Sequence, residues 1–125
     1  ICGRAPELPE LPSPADIILI LDMLHYLDDG TLRDLFVHCS QALVPGGILV
    51  TRFVIRPAGK VSWFWRLEDR RVRWAGSVAH YRTPARMAAF LAACGFEIVV
   101  EKIADTDPEL AWIVARRPQR TQKCA

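Results

Sequence analysis

The clearest signal along the chain is a change in the rhythm of its apolar positions. Residues 17 to 21, Ile-Ile-Leu-Ile-Leu, are apolar at every position rather than alternating. That pattern predicts a strand covered on both faces, as in a parallel α/β sheet. Asp28-Asp29-Gly30 interrupts it. Leu32, Leu35, Phe36, Cys39 and Leu43 then recur at three- and four-residue steps, leaving Arg33, Asp34, His38 and Gln41 outward. This is one buried stripe of a helix, with Asp29 or Thr31 as its expected cap and Pro45-Gly46-Gly47 as its stop. A second strand is predicted over Ile48–Ile55, with Thr51 and Arg52 interrupting its apolar run. Thr83-Pro84 opens another helix, a capping hydroxyl followed by proline in the first turn. Its buried stripe is Met87, Phe90, Leu91 and Cys94, and Gly95 ends it. Strands follow over Phe96–Ile103 and Leu110–Ala115, joined by a short turn at Asp105–Glu109 that makes them antiparallel.

Two regions resist this periodicity. Pro6, Pro9, Pro12 and Pro14 make residues 1–15 a Pro-rich surface loop. Residues 57–80 mix Trp63, Phe64, Trp65, Leu67, Val72 and Trp74 with five basic residues, and read as an amphipathic helix or helical insertion. One domain body over residues 16–117 and a basic tail over 118–125 complete the layout, with no internal repeat.

Composition narrows the function classes. Apolar residues make up 51% of the 125, enough for a packed core, and the net charge is only +2. Neither nucleic acid nor a membrane surface is an expected partner at that charge. No apolar run approaches the roughly 20 residues of a spanning helix, and no secretory signal is present. Cys2, Cys39, Cys94 and Cys124 are scattered without a CxxC pair, which suits reduced thiols and a cytoplasmic location. His25, His38 and His80 lack metal-ligand spacing, so no metal site is expected.

In open α/β sheets ligands bind beyond the carboxyl ends of the strands, which singles out Leu21–Tyr26 before any family is considered. Asp22 is a candidate for hydrogen bonding to a ligand or for fixing its loop. Met23 is a candidate ligand contact or a core methionine. His25 has three readings there: a general base, a cavity-lining ring, or a structural residue. Arg52, at the end of the next strand, is suited to pairing with an acidic substrate or with a carboxylate of the protein itself. Trp63, Trp65, His80 and Tyr81 are candidates for the roof of an acceptor pocket.

The segments ADIILILDMLHYLDD, LRDLFVHCSQALVPGGILVTRF and YRTPARMAAFLAACGFEIV, in this order and spacing, resemble the C-terminal half of class I S-adenosylmethionine-dependent methyltransferases. The strongest elements are Leu24-His25-Tyr26-Leu27, Leu43-Val44-Pro45-Gly46-Gly47 and Cys94-Gly95-Phe96. The resemblance runs from Ala15 to Arg117. It implies an α/β, Rossmann-like mixed sheet comprising strands four to seven of the seven-stranded fold, the last one antiparallel. It also implies S-adenosylmethionine as cofactor and methyl transfer to a small-molecule acceptor in the full-length parent. Ile1, Leu21, Asp22 and Met23 fall on its cofactor side and Tyr26, Arg52, Trp63 and Tyr81 on its substrate side. His25 falls on the cofactor or substrate side and is the candidate catalytic residue, although the resemblance implies no fixed catalytic role for it.

The chain departs from the family in one large respect. The glycine-rich turn and the ribose-binding acidic residue of the first two strands are absent. Ile1 matches the residue just after the adenine-contacting aspartate. Residues 1–125 alone are therefore expected to be inactive and to bind the cofactor poorly, with the Ile17–Leu21 strand left as an open edge. Two rivals stand beside this reading. One is a non-catalytic, degenerate methyltransferase-like interaction module. The other is a nicotinamide-dependent reductase, disfavoured because Ala85 rather than lysine stands four residues after Tyr81.

Overall fold

The computed structural model describes residues 3–55 and 80–119. Strand β1 spans Ala15–Leu21, and a single 3-10 turn follows at Leu24–Tyr26. Helix α1 spans Asp29–Ala42 and strand β2 Leu43–Val54. Helix α2 covers Pro84–Ala93, β3 covers Glu97–Ile103 and β4 covers Leu110–Arg116. The four strands form one mixed sheet in the order β1-β2-β4-β3, with β1 and β2 parallel. Strand β4 runs antiparallel to both its neighbours; the tight turn before it predicts the pairing with β3.

The apolar stripe of α1 was legible in its spacing. Leu32, Leu35, Phe36 and Cys39 of α1 are all buried, as is Leu43 just beyond it. They join Ile20, Leu49, Phe53, Ala111, Ile113 and Ala115 from the sheet, and Met87 and Leu91 from α2, in a single core. Both helices therefore cover the same sheet face. Thr51 faces this core without penalty because its hydroxyl donates to the Ile113 carbonyl at 3.0 Å. Phe90 and Cys94, expected in the α2 stripe, are only partly buried.

Four expectations need correction. Asp28, not Asp29 or Thr31, caps α1; its carboxylate accepts from the Thr31 amide at 2.7 Å. The helix ends at Ala42, ahead of Pro45-Gly46-Gly47, and those three residues already belong to β2. Gly46 sits at φ 81°, and the Gly46–Gly47 backbone exchanges two 2.8 Å hydrogen bonds with Arg117. A Cβ on Gly47 would lie 2.8 Å from the Val44 carbonyl oxygen, so this close approach requires glycine. His38 does not face solvent, because its Nδ1 lies 2.7 Å from the Pro6 carbonyl oxygen in the Pro-rich segment.

The fourth correction concerns β1. Ile18 and Ile20 face the core, whereas Ile17, Leu19 and Leu21 are 60%, 63% and 44% exposed. Among the described residues only one face of this strand is covered, since α1 and α2 both lie on the other side from Ile17, Leu19 and Leu21. The same face continues across the register through Val50 and Val114 and through Arg52 and Trp112. Strand β1 is also an edge of the described sheet, with β2 its one partner. The reading of residues 57–80 as an amphipathic helix falls outside the described residues, apart from His80.

Candidate functional site

The carboxyl ends of β1 and β2 lie side by side, and the chain turns sharply there. Asp22 ends β1 with φ 58°, a left-handed conformation that aspartate tolerates better than most side chains. Two interactions hold it. Its amide donates to the Arg52 carbonyl at 2.9 Å, and its carboxylate takes both arms of the Arg52 guanidinium, with Nε to Oδ1 at 2.8 Å. The same guanidinium lies 5.3 Å from the ring centre of Trp112 on β4. Of the two roles open to Arg52, pairing within the protein is the one found. The bidentate bond to Asp22 raises its pKa further, so it stays charged.

Met23 is half-buried and leads into the turn that presents His25 and Tyr26. Leu24 anchors this turn from below, fully buried in the core. Above it, the His25 and Tyr26 ring centres are 4.1 Å apart, and His25 stacks near-parallel to Tyr81 at 5.9 Å. Tyr26 is 53% exposed, so the group presents an aromatic surface to solvent. Tyr81 reaches it because the His80 amide donates to the His25 carbonyl at 2.7 Å. The structure thus brings together Leu21, Asp22, Met23, His25, Tyr26, Arg52 and Tyr81. Ile1 and Trp63, also singled out from the sequence, lie outside the described residues.

One residue of this region was missed in the sequence. Arg82 is 4% exposed and donates to the Leu24, Leu27 and His80 carbonyls and, twice, to Asp29 Oδ1. Arg86 adds a 2.9 Å bond to the other Asp29 oxygen. Asp28, Asp29, His80, Tyr81, Arg82 and Arg86 line an open hollow of about 390 Å³ beside the turn. An arginine flanking a helix cap reads as a solvated charge; the available hint was Asp29, an acid in the first turn of α1 needing a partner. Among the described residues no group of three or more His, Cys, Asp or Glu side chains is arranged to hold a metal. No described helix is long and apolar enough to cross a membrane.

Asp29 supplies a pH test. Hydrogen bonding from Arg82, helped by the charges of Arg82 and Arg86, holds its carboxyl below the usual range against some desolvation. A lowered folded-state pKa gives stability that is present above the unfolded value and lost as pH falls through the folded one. The urea midpoints of wild type and Asp29→Asn should therefore differ at pH 7 and converge on acidification below the ordinary carboxylate range. A difference that persists unchanged in acid would refute the coupling.

No family model matches the chain, and no curated protein matches its sequence. Solved structures do. The chain is similar to the pyocyanin biosynthetic protein PhzM, with 25% identity, a TM-score of 0.65 and coverage of 86% of this chain and 32% of that one. It is similar to human N-acetylserotonin methyltransferase, solved with S-adenosylmethionine, at 21% identity and a TM-score of 0.69, covering 94% and 33%. Against the S-adenosylmethionine-dependent methyltransferase SibL the TM-score is 0.73 at 15% identity, covering 94% and 35%. The chain thus spans about a third of the length of these structures. It has the Rossmann-like α/β fold of methyltransferases, and its mixed four-stranded sheet corresponds to one part of theirs.

Proposed function

We propose that this chain is the acceptor-side part of an S-adenosylmethionine-dependent methyltransferase acting on a planar aromatic small molecule. The observation that carries the reading is the aromatic group His25, Tyr26 and Tyr81 at the carboxyl end of a parallel strand pair, beside the exposed strand end at Leu21. One structural neighbour, an O-methyltransferase family 2 protein, was solved with the flavone apigenin, which is consistent with such an acceptor.

The residues present suit one side of the cofactor. Leu21 and Met23 offer apolar contacts on either side of Asp22. The Asp22 carboxylate has acceptor capacity beyond its two bonds to Arg52, since an ionised carboxylate offers about four lone-pair sites. Bound there, S-adenosylmethionine supplies an already activated methyl group, so the protein's task is mostly alignment and exclusion of water. In this reading Tyr26 and Tyr81 hold the acceptor ring by offset or edge-to-face contact. His25 orients the nucleophilic atom, and its imidazole accepts the proton that atom releases. Arg52, neutralised by Asp22, fixes the strand end rather than binding an anion.

Titration of the 125-residue chain, followed by amide and ring NMR, tests this. S-adenosylhomocysteine should bind with a dissociation constant on the order of 1 mM, moving the amides of Leu21, Asp22 and Met23. Apigenin should move the ring signals of His25, Tyr26 and Tyr81. Responses confined to other residues, or none at 10 mM nucleoside (roughly −2.7 kcal/mol), would sink the proposal. Micromolar binding would refute the expectation of a one-sided cofactor site.

A further inference from the structure

Arg82 has five guanidinium N–H donors, and the structure uses all of them. Nη1 donates to the Leu24 and His80 carbonyls, each at 3.2 Å. Nη2 donates to the Leu27 carbonyl at 2.7 Å and to Asp29 Oδ1 at 2.8 Å, and Nε reaches the same oxygen at 3.1 Å. Leu24 and Leu27 lie immediately before and after His25-Tyr26, so one rigid planar group grips both ends of the turn that carries the two rings. Its third carbonyl, from His80, brings in the backbone next to Tyr81, whose ring stacks on His25. The fourth partner, Asp29, ties the assembly to the first turn of α1.

The geometry of the donor, not its charge, is what this arrangement needs. A guanidinium presents its donors in a fixed planar fork, whereas an ammonium is a compact point charge on a flexible stem. Charge alone would be served more cheaply at the surface, as Arg86 shows: it reaches Asp29 while its side chain stays 60% exposed. Arg82 instead gives up solvent almost completely, and three of its five bonds go to neutral carbonyls.

We propose that Arg82 is a positioning residue that sets the conformation of the Leu24–Asp29 turn, and through it the placement of His25 and Tyr26 against Tyr81. The role rests on the proposed acceptor site, because an aromatic acceptor would meet the ring geometry that this fork maintains. It acts through other residues and does not touch the acceptor.

The test uses the 125-residue chain and the variants Arg82→Lys and Asp29→Asn, read by hydrogen exchange and ring NMR. In Arg82→Lys, amides from Leu24 to Asp29 should exchange about tenfold faster than any general loss of stability explains, with Leu49, Phe53 and Ile113 serving as the reference for that loss. Ring signals of His25, Tyr26 and Tyr81 should shift in the folded protein. The apigenin response of those rings should weaken about tenfold, while the S-adenosylhomocysteine response at Leu21 to Met23 persists. Asp29→Asn keeps the three carbonyl bonds and should show smaller changes in the same places. Uniformly faster exchange with unmoved ring signals would reduce Arg82 to a general stabiliser and overturn the proposal. Should Arg82→Lys not fold, the local or uniform character of the Asp29→Asn effect decides. A wild-type chain that ignores apigenin refutes the acceptor site, while exchange and ring signals still decide how Arg82 acts.

Discussion

Phe36→Ala should cost about 4 kcal/mol, within the roughly 3–5 kcal/mol range for truncating a buried phenylalanine. Phe36 is fully buried on the inner face of α1, with Leu32 one turn before it and Cys39 one turn after. Removing its ring discards the transfer free energy of the lost carbons. It also opens a cavity that the sheet residues Leu49 and Phe53 cannot close, because strand pairing on both sides of β2 fixes their backbone. For a domain whose whole stability is on the order of 5–15 kcal/mol, that is a large fraction. Val37 is the control. It is the next residue on the same helix but 38% exposed, and Val37→Ala should stay within about 0.5 kcal/mol. Urea denaturation of both variants checks the contrast; equal midpoints would mean that α1 is not seated as described. The change should also reach the site, because the helix seated by Phe36 carries Asp29 in its first turn.

Arg82→Ala should be the most damaging polar substitution, at about 3 kcal/mol. Two effects compete in setting this figure. Asp29 loses one cation but keeps Arg86, and with a side chain 49% exposed it can rehydrate, so the charge contributes little. The Leu24, Leu27 and His80 carbonyls lose their donor in a partly closed region, and an unsatisfied buried polar group costs roughly 1–3 kcal/mol. The carbonyls dominate. Arg86→Ala, which removes a bridge to the same carboxylate from a 60% exposed side chain, should cost less than about 1 kcal/mol. Similar losses for the two arginines by thermal or urea unfolding would show that ion pairing, not carbonyl satisfaction, accounts for the effect.

The elements that the sequence made legible are those written in local periodicity. The α1 stripe and the Thr83-Pro84 helix start could be read from spacing alone, and the Thr83 hydroxyl does accept from the Arg86 amide at 3.2 Å. The apolar run of β1 was legible as a strand but not as a strand with one open face. Periodicity reports which residues avoid water, not whether their cover lies among the described residues. The helix stop was misplaced because Pro45-Gly46-Gly47 suits both the end of a helix and the irregular start of a strand. Pairing with Arg117, some 70 residues away, decides between them, and no local pattern encodes that.

At the candidate site, strand-end logic picked out Leu21–Tyr26 and Arg52, which do meet there. Asp22 and Arg52 were each singled out, and their partnership is a parallel-register fact, since Leu21 stands opposite Arg52. Arg82 was illegible for the same kind of reason: its acidic partner lies 53 positions upstream. Among the described residues, the contacts that shape the site are the long-range ones.

The hydrogen bonds around residues 56–79 carry an evolutionary consequence. On one side the Ile55 amide donates to the Glu109 carbonyl at 2.8 Å; on the other, His80 and Arg82 are bonded to the turn at His25. Both attachment points are therefore fixed to the sheet and the turn by bonds outside that stretch. Sequence change within 56–79 therefore leaves intact the bonds that hold the turn of His25 and Tyr26 and the backbone beside Tyr81.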